Sequence, residues 1–173
     1  MINDTKEFAS KFKIEWNIEE SIKNILDIKK ILESLNCDFY PAFGTFLGMY
    51  RDGNLIEWDY DTDIVILGHD YEILNNNIGK FNADGFDIIK KDNMIISFRR
   101  NRNYTDIYPF HLKDGLWRNP NGVYTFYPIH AMKDNYMDCF GVTWKIFNYP
   151  DIYFSERYGD DWKTPIEGKQ AER

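Results

Sequence analysis

The chain has 173 residues, of which 43% are hydrophobic and 17% aromatic, enough for one well-packed domain and short for two. A net charge of −7 and a pI near 5.0 lack the basic footprint that a nucleic-acid backbone demands. No apolar run approaches the roughly 20 residues of a membrane span, and no signal peptide opens the sequence. Cys37 and Cys139 are too few for a Cys₄ or Cys₂His₂ cluster and are expected as buried free thiols. His69, His111 and His130 show no ligand spacing.

Residues 1–16 match no pattern and are expected as an N-terminal extension of a single domain spanning 1–173. Asn17 with Glu20 resembles a capping box. Ile18, Ile22, Ile25, Leu26, Ile31, Leu32 and Leu35 then follow helical spacing, predicting one amphipathic helix to about Asn36. A strand is expected over 38–43, a short helical segment from Thr45 to Arg51, and a buried strand over 60–67. A helix over 70–81 ends in Asn-Ala-Asp-Gly, followed by strands at 86–91, 94–100 and 104–110. Lys113-Asp114-Gly115 and Asn119-Pro120-Asn121-Gly122 read as turns, 137–147 as a hairpin around Gly141, and Pro150 as the start of a helix through Tyr158. The residues from 167 onward form a polar tail.

The chemistry concentrates between Gly44 and Leu67, GTFLGMYRDGNLIEWDYDTDIVIL. Asp59, Asp61 and Asp63 alternate, so in an extended chain their carboxylates share one face. A lone D-x-D in an acidic protein is usually solvated surface. This one runs into the apolar Ile64–Leu67, where like charges need a counter-charge, and the simplest is a divalent cation. Carboxylate oxygens suit Mg²⁺ or Mn²⁺, which also bind substrate phosphates. Gly44 and Thr45 open a helical segment whose N–H groups can hold a phosphate opposite the metal. Asp106, in the aromatic and β-branched strand Tyr104-Thr105-Asp106-Ile107-Tyr108, is out of place on packing grounds and supplies a third carboxylate.

These motifs resemble the LicD/fukutin-type branch of the polymerase-β-like nucleotidyltransferase superfamily. The G-T-F-L-G-M-Y-R…W-D-Y-D-T-D-I stretch carries the likeness, T-D-I-Y-P-F is similar to the family's third-carboxylate strand, and Tyr158-Gly159-Asp160-Asp161-Trp162-Lys163-Thr164-Pro165 to its C-terminal signature. Met49-Tyr50 departs from the small residues usual before the arginine. The resemblance implies an α+β fold, a nucleotidyltransferase-like mixed β-sheet flanked by helices in one compact domain. It implies Asp61, Asp63 and Asp106 as ligands of two Mg²⁺ or Mn²⁺ ions, and transfer of a phospho-alcohol from a CDP-linked donor to a saccharide or glycan hydroxyl with release of CMP. A cytoplasmic enzyme, working at most at the inner membrane face, is the location it implies.

Asp59 is either a further ligand or a group supporting the ligands from behind. Arg51, matching the family's motif arginine, is expected on the donor phosphate, and Lys163 on the donor. Trp58 stacks on a base or simply packs, and Trp162 anchors its motif. Of Arg99, Arg100 and Arg102, alternation lets only some face the site. Nucleotidyl transfer from an NTP with pyrophosphate release uses the same carboxylates. A catalytically silent binding module has no need to keep them.

Overall fold

The computed structural model describes residues 17–120, 125–126 and 134–167. The expected N-terminal extension, the tail beyond Glu167, His130 and the Asn121-Gly122 half of one turn lie outside the described residues.

Helix α1 (Ile18–Ser34) starts where the capping pattern says: Asn17 Oδ1 accepts from the Glu20 N–H at 3.0 Å. The reciprocal half of the box is missing, because the Glu20 carboxylate accepts from Lys23 and from Asn101 in a distant turn. The helix ends just before Asn36, which takes the left-handed φ of 54°. Strand β1 (Phe39–Pro41) is shorter than expected, since the chain already turns into helix α2 (Phe43–Asp52). That helix stops at Gly53, whose φ of 65° suits glycine.

Strand β2 (Asp61–Leu67) follows. The helix expected over 70–81 is instead two, α3 (Gly68–Asn76) and α4 (Ile78–Ala83), broken at Asn77. Asn77 Nδ2 donates to the Ile73 carbonyl, so its side chain takes over a helix-end acceptor. Strands β3 (Asp87–Lys91), β4 (Ile96–Arg100) and β5 (Asn103–Lys113) form a meander, and β6 (Leu116–Arg118) and β7 (Thr125–Phe126) extend from the far end of β5. A separate hairpin, β8 (Asn135–Cys139) and β9 (Val142–Ile146), leads to helix α5 (Pro150–Tyr158).

The main sheet runs β1-β2-β5-β4-β3, mixed because β2 and β5 are parallel while the other pairs are antiparallel. Register and alternation give its two faces different characters. Ile64, Ile66, Ile107, Ile96 and Phe98 share one face, all fully buried, against Ile25, Ile28 and Leu32 of α1 and Phe81 of α4. Arg100 clips α1 to the sheet by bonding Asn24 and Asp27.

A second cluster is aromatic and gathers α2, β9 and α5. Phe46 lies 4.7–5.9 Å from the rings of Tyr50, Phe147, Tyr153 and Phe154. Tyr50, the departure from the small residues usual at its position, packs on Phe154 and Trp162. Trp162 is buried, as its anchoring role requires. Cys37 and Cys139 are buried free thiols.

Candidate active site

Parallel pairing of β2 with β5 builds the centre. The register sets Asp63 opposite Asp106 and Asp61 opposite Tyr104. Side chains in facing positions project to the same side, so the pair that buries isoleucines on one face presents carboxylates on the other. One oxygen from each of Asp61, Asp63 and Asp106 lies within 4.8 Å of the others. Asp63 and Asp106 are 7% and 6% exposed, close to the condition of core residues, and Asp61 is half-buried.

Asp63 is held through its backbone and Asp106 through its carboxylate. The Asp63 N–H donates to Thr45 Oγ1 at 2.8 Å, and its carbonyl accepts from the Ala42 N–H at 3.0 Å. The first turn of α2 is thereby stitched to β2 on both sides of Asp63, and Thr45, buried at 2% exposure, spends its hydroxyl on that strand. Ser97, facing Asp106 on β4, donates to it, and the Tyr108 hydroxyl donates to Asp106 Oδ2 at 3.4 Å.

Burial, and then the charges of Asp61, Asp59 and Asp106, raise the Asp63 carboxyl well above the usual carboxylate range, against an opposing pull from Arg157. Burial also raises Asp106, opposed by Ser97, Lys90 and Tyr108. Lys90, Ser97, Asp106 and Asp63 occupy consecutive register positions across four strands.

Asp59 leans on the start of α2. A Cβ at Gly44 would lie 1.8 Å from Asp59 Oδ2, so a side chain there would have to displace that carboxylate from the start of α2. Phe43 opens α2 at φ 48° and Tyr149 precedes α5 at φ 54°. Left-handed backbone at an aromatic residue stores about 1–3 kcal/mol, and that at Phe43 lies beside the site, its ring edge-on to Tyr108.

Arg51 donates to both Asp52 oxygens at 2.7–2.8 Å and to the Trp162 carbonyl at 3.3 Å, tying the end of α2 to the C-terminal turn. It lines a small, solvent-open recess with Trp58, Tyr158 and Trp162. Lys163 is exposed, 5.2 Å from the Trp162 ring and 3.4 Å from Asp151. Arg99 pairs with Asp87, Arg100 with α1, and Arg102 sits exposed in the β4–β5 turn. His111 is exposed and its imidazole lies against Gly68.

Sequence reasoning missed Arg157. It sits in the last turn of α5, 4.6 Å over the Phe43 ring and 5.7 Å from the Tyr153 ring. Four-residue spacing from Tyr153 on a helix opened by Pro150 was the available signal. Ser97 and Tyr108 were missed because only strand register reveals them.

Three hard oxygen donors, mostly removed from water and mutually repulsive, fit Mg²⁺ or Mn²⁺ better than a softer metal. Paired carboxylates on one strand of a helix-backed mixed sheet, with a third on its parallel neighbour, define a nucleotidyltransferase-fold protein. Solved structures agree on the fold. The solution structure of antibiotic-resistance factor ANT(2'')-Ia superposes with a TM-score of 0.60 at 13% identity, over 87% of this chain and 77% of that one. The lincosamide antibiotic adenylyltransferase LnuA, lincomycin-bound, gives 0.55 at 16% identity, over 82% and 92%. ANT(2'')-Ia in complex with adenylyl-2''-tobramycin gives 0.54 at 12%, over 78% and 75%.

The sequence profile of the LicD/FKTN/FKRP nucleotidyltransferase domain matches residues 36–158, and the chain belongs to that family. No curated protein sequence matches it.

Proposed function

We propose that this protein is a metal-dependent transferase that moves a phospho-alcohol group, such as phosphocholine or ribitol phosphate, from a CDP-linked donor to a glycan hydroxyl, with CMP leaving. Membership of the LicD family supports the reaction class. The observation that carries the reading is the Asp61, Asp63 and Asp106 triad, three carboxylates converging at a buried strand pair.

In this reading Asp61 and Asp63 hold the metal with Asp106, and Ser97 and Tyr108 fix the orientation of Asp106. When bound, two Mg²⁺ or Mn²⁺ ions supply charge neutralisation at the phosphate and a lowered pKa for the acceptor hydroxyl. Gly44 keeps the first turn of α2 open, so its N–H groups face an incoming phosphate while Asp59 borders it. Thr45 keeps Asp63 in register. Arg51 and Lys163 border the donor side at the C-terminal turn. Catalysis of this kind is mostly positioning and charge stabilisation.

A second reading is nucleotidyl transfer from an NTP with release of pyrophosphate. It is favoured by the structural neighbours, one named an adenylyltransferase and another complexed with adenylyl-2''-tobramycin. Mass spectrometry of reactions with Mn²⁺, a panel of CDP-alcohols or NTPs, and simple saccharides separates the two. Metal-dependent CMP release supports the first, and pyrophosphate release replaces it with the second. Turnover that survives excess EDTA removes both.

A further inference from the structure

The two helices beside the triad run antiparallel, and their contacts show it. At one end Arg157 of α5 lies over Phe43, the first residue of α2. At the other the Tyr50 hydroxyl of α2 reaches Asp151 in the first turn of α5. The last turn of α5 therefore borders the first turn of α2, where the N–H groups point outward and Asp63 is stitched in place.

Two rings position the Arg157 guanidinium. It is 4.6 Å from the Phe43 ring centroid and 5.7 Å from that of Tyr153. Phe43 in turn meets Tyr108 edge-on at 5.3 Å, and Tyr108 donates to Asp106. Arg157 is thus one ring removed from the side chain that touches the third carboxylate, and Asp63 feels its charge. Arg51 enters α2 eight residues after Phe43, about 12 Å along the helix by its rise, and binds Asp52 and the Trp162 carbonyl.

We propose that Arg157 is the arginine that binds the donor's diphosphate, its planar fork taking non-bridging phosphate oxygens between the first turn of α2 and the carboxylate triad. This rests on the transferase reading and adds the residue that recognises the donor. A guanidinium suits the task because it offers parallel donors and stays charged while stacked on aromatic faces. The alternative is a purely structural cation, there to soften repulsion among Asp59, Asp61 and Asp63.

Calorimetry on the full chain separates these roles, with Mn²⁺ alone and then CDP plus Mn²⁺ as probes. Arg157→Gln is expected to keep Mn²⁺ affinity within a few-fold of wild type. Its CDP affinity should fall about ten- to hundredfold, the loss of a charged hydrogen-bonding pair. Arg157→Lys, which keeps the charge without the fork, should recover only part of that, while Arg102→Gln in the β4–β5 turn should bind as wild type does. Arg157→Gln or Arg157→Lys with wild-type CDP affinity overturns the assignment. So does a parallel loss of Mn²⁺ affinity and melting temperature that leaves CDP affinity unchanged once Mn²⁺ saturates. Wild-type protein that binds no nucleotide with Mn²⁺ sinks the transferase reading itself, a result distinct from wild-type binding that Arg157→Gln shares.

Discussion

The β2–β5 pair has two faces made from alternate residues of the same two strands, and they are built to opposite ends. On the α1 side, Ile64, Ile66 and Ile107 are fully buried, and the Thr62 and Thr105 hydroxyls bond each other at 2.8 Å. On the other side, one residue along, Asp61, Asp63 and Asp106 crowd within 4.8 Å at a cost in desolvation and repulsion. The first face carries stability that the second gives away. A strand pair with a period of two lets a fold do both without interposing a loop, and the rigidity of the apolar side fixes the geometry of the acidic one.

The largest expected effect breaks the acidic face alone. Asp63→Asn should lower turnover by about 10³-fold or more, as loss of a principal electrostatic element does. In metal-free protein it should raise the melting temperature by removing repulsion. Ile64→Ala should do the reverse, costing about 2–5 kcal/mol of stability while leaving Mn²⁺ affinity intact. Thermal melts with calorimetry test both, and an Asp63→Asn protein that melts lower, as Ile64→Ala does, would erase the contrast.

A pH series sharpens it further. Asp63 and Asp106 have folded pKa values above their unfolded ones, so between the two values the native state holds more protons than the unfolded chain. Their contribution to stability is therefore present below about pH 4 and lost as pH rises through the folded values. Metal-free wild type should show this fall in urea titrations, and Asp63→Asn a shallower one. Saturating Mn²⁺ should flatten it, and equal slopes for wild type and variant would refute the linkage.

The smallest effect lies on the quiet face. Thr62→Val should cost about 1–3 kcal/mol by stranding a buried partner. The double variant Thr62→Val with Thr105→Val should cost less than the two single changes added, since no hydroxyl is then left alone. Strict additivity would mean the pair carries no coupling.

Much of this contrast was legible in the sequence. The alternation of Asp59, Asp61 and Asp63 into Ile64–Leu67, and the misplaced Asp106, named the triad and its strands to within a few residues. What stayed hidden depends on contacts between distant segments. Thr45 reads as a phosphate-cradle residue through its N–H, and the sequence gives no sign that its hydroxyl also accepts from the Asp63 N–H, 18 positions away. Arg100 belongs to a basic cluster in sequence, yet bonds α1 from a separation of 73 to 76 residues. Asn77 splits what periodicity draws as one helix, because its amide prefers the Ile73 carbonyl to continued winding. Arg157 stood beside a recognisable C-terminal signature, and only the antiparallel packing of α5 on α2 brings it to the site.

The parallel pairing also dictates when the centre can exist. Thr62 and Thr105 meet across 43 residues, and β5 must slot between β2 and β4 after α3, α4 and β3 have been laid down. Closing so long a loop is slow relative to forming the helices and the β3–β4 hairpin, which need only local contacts. The acidic triad is then completed late on the folding route, and no nascent chain ending before β5 carries all three carboxylates. Mn²⁺ added during refolding should accordingly slow unfolding while leaving the folding rate unchanged, making the metal a lock on the finished fold and not a nucleus for it.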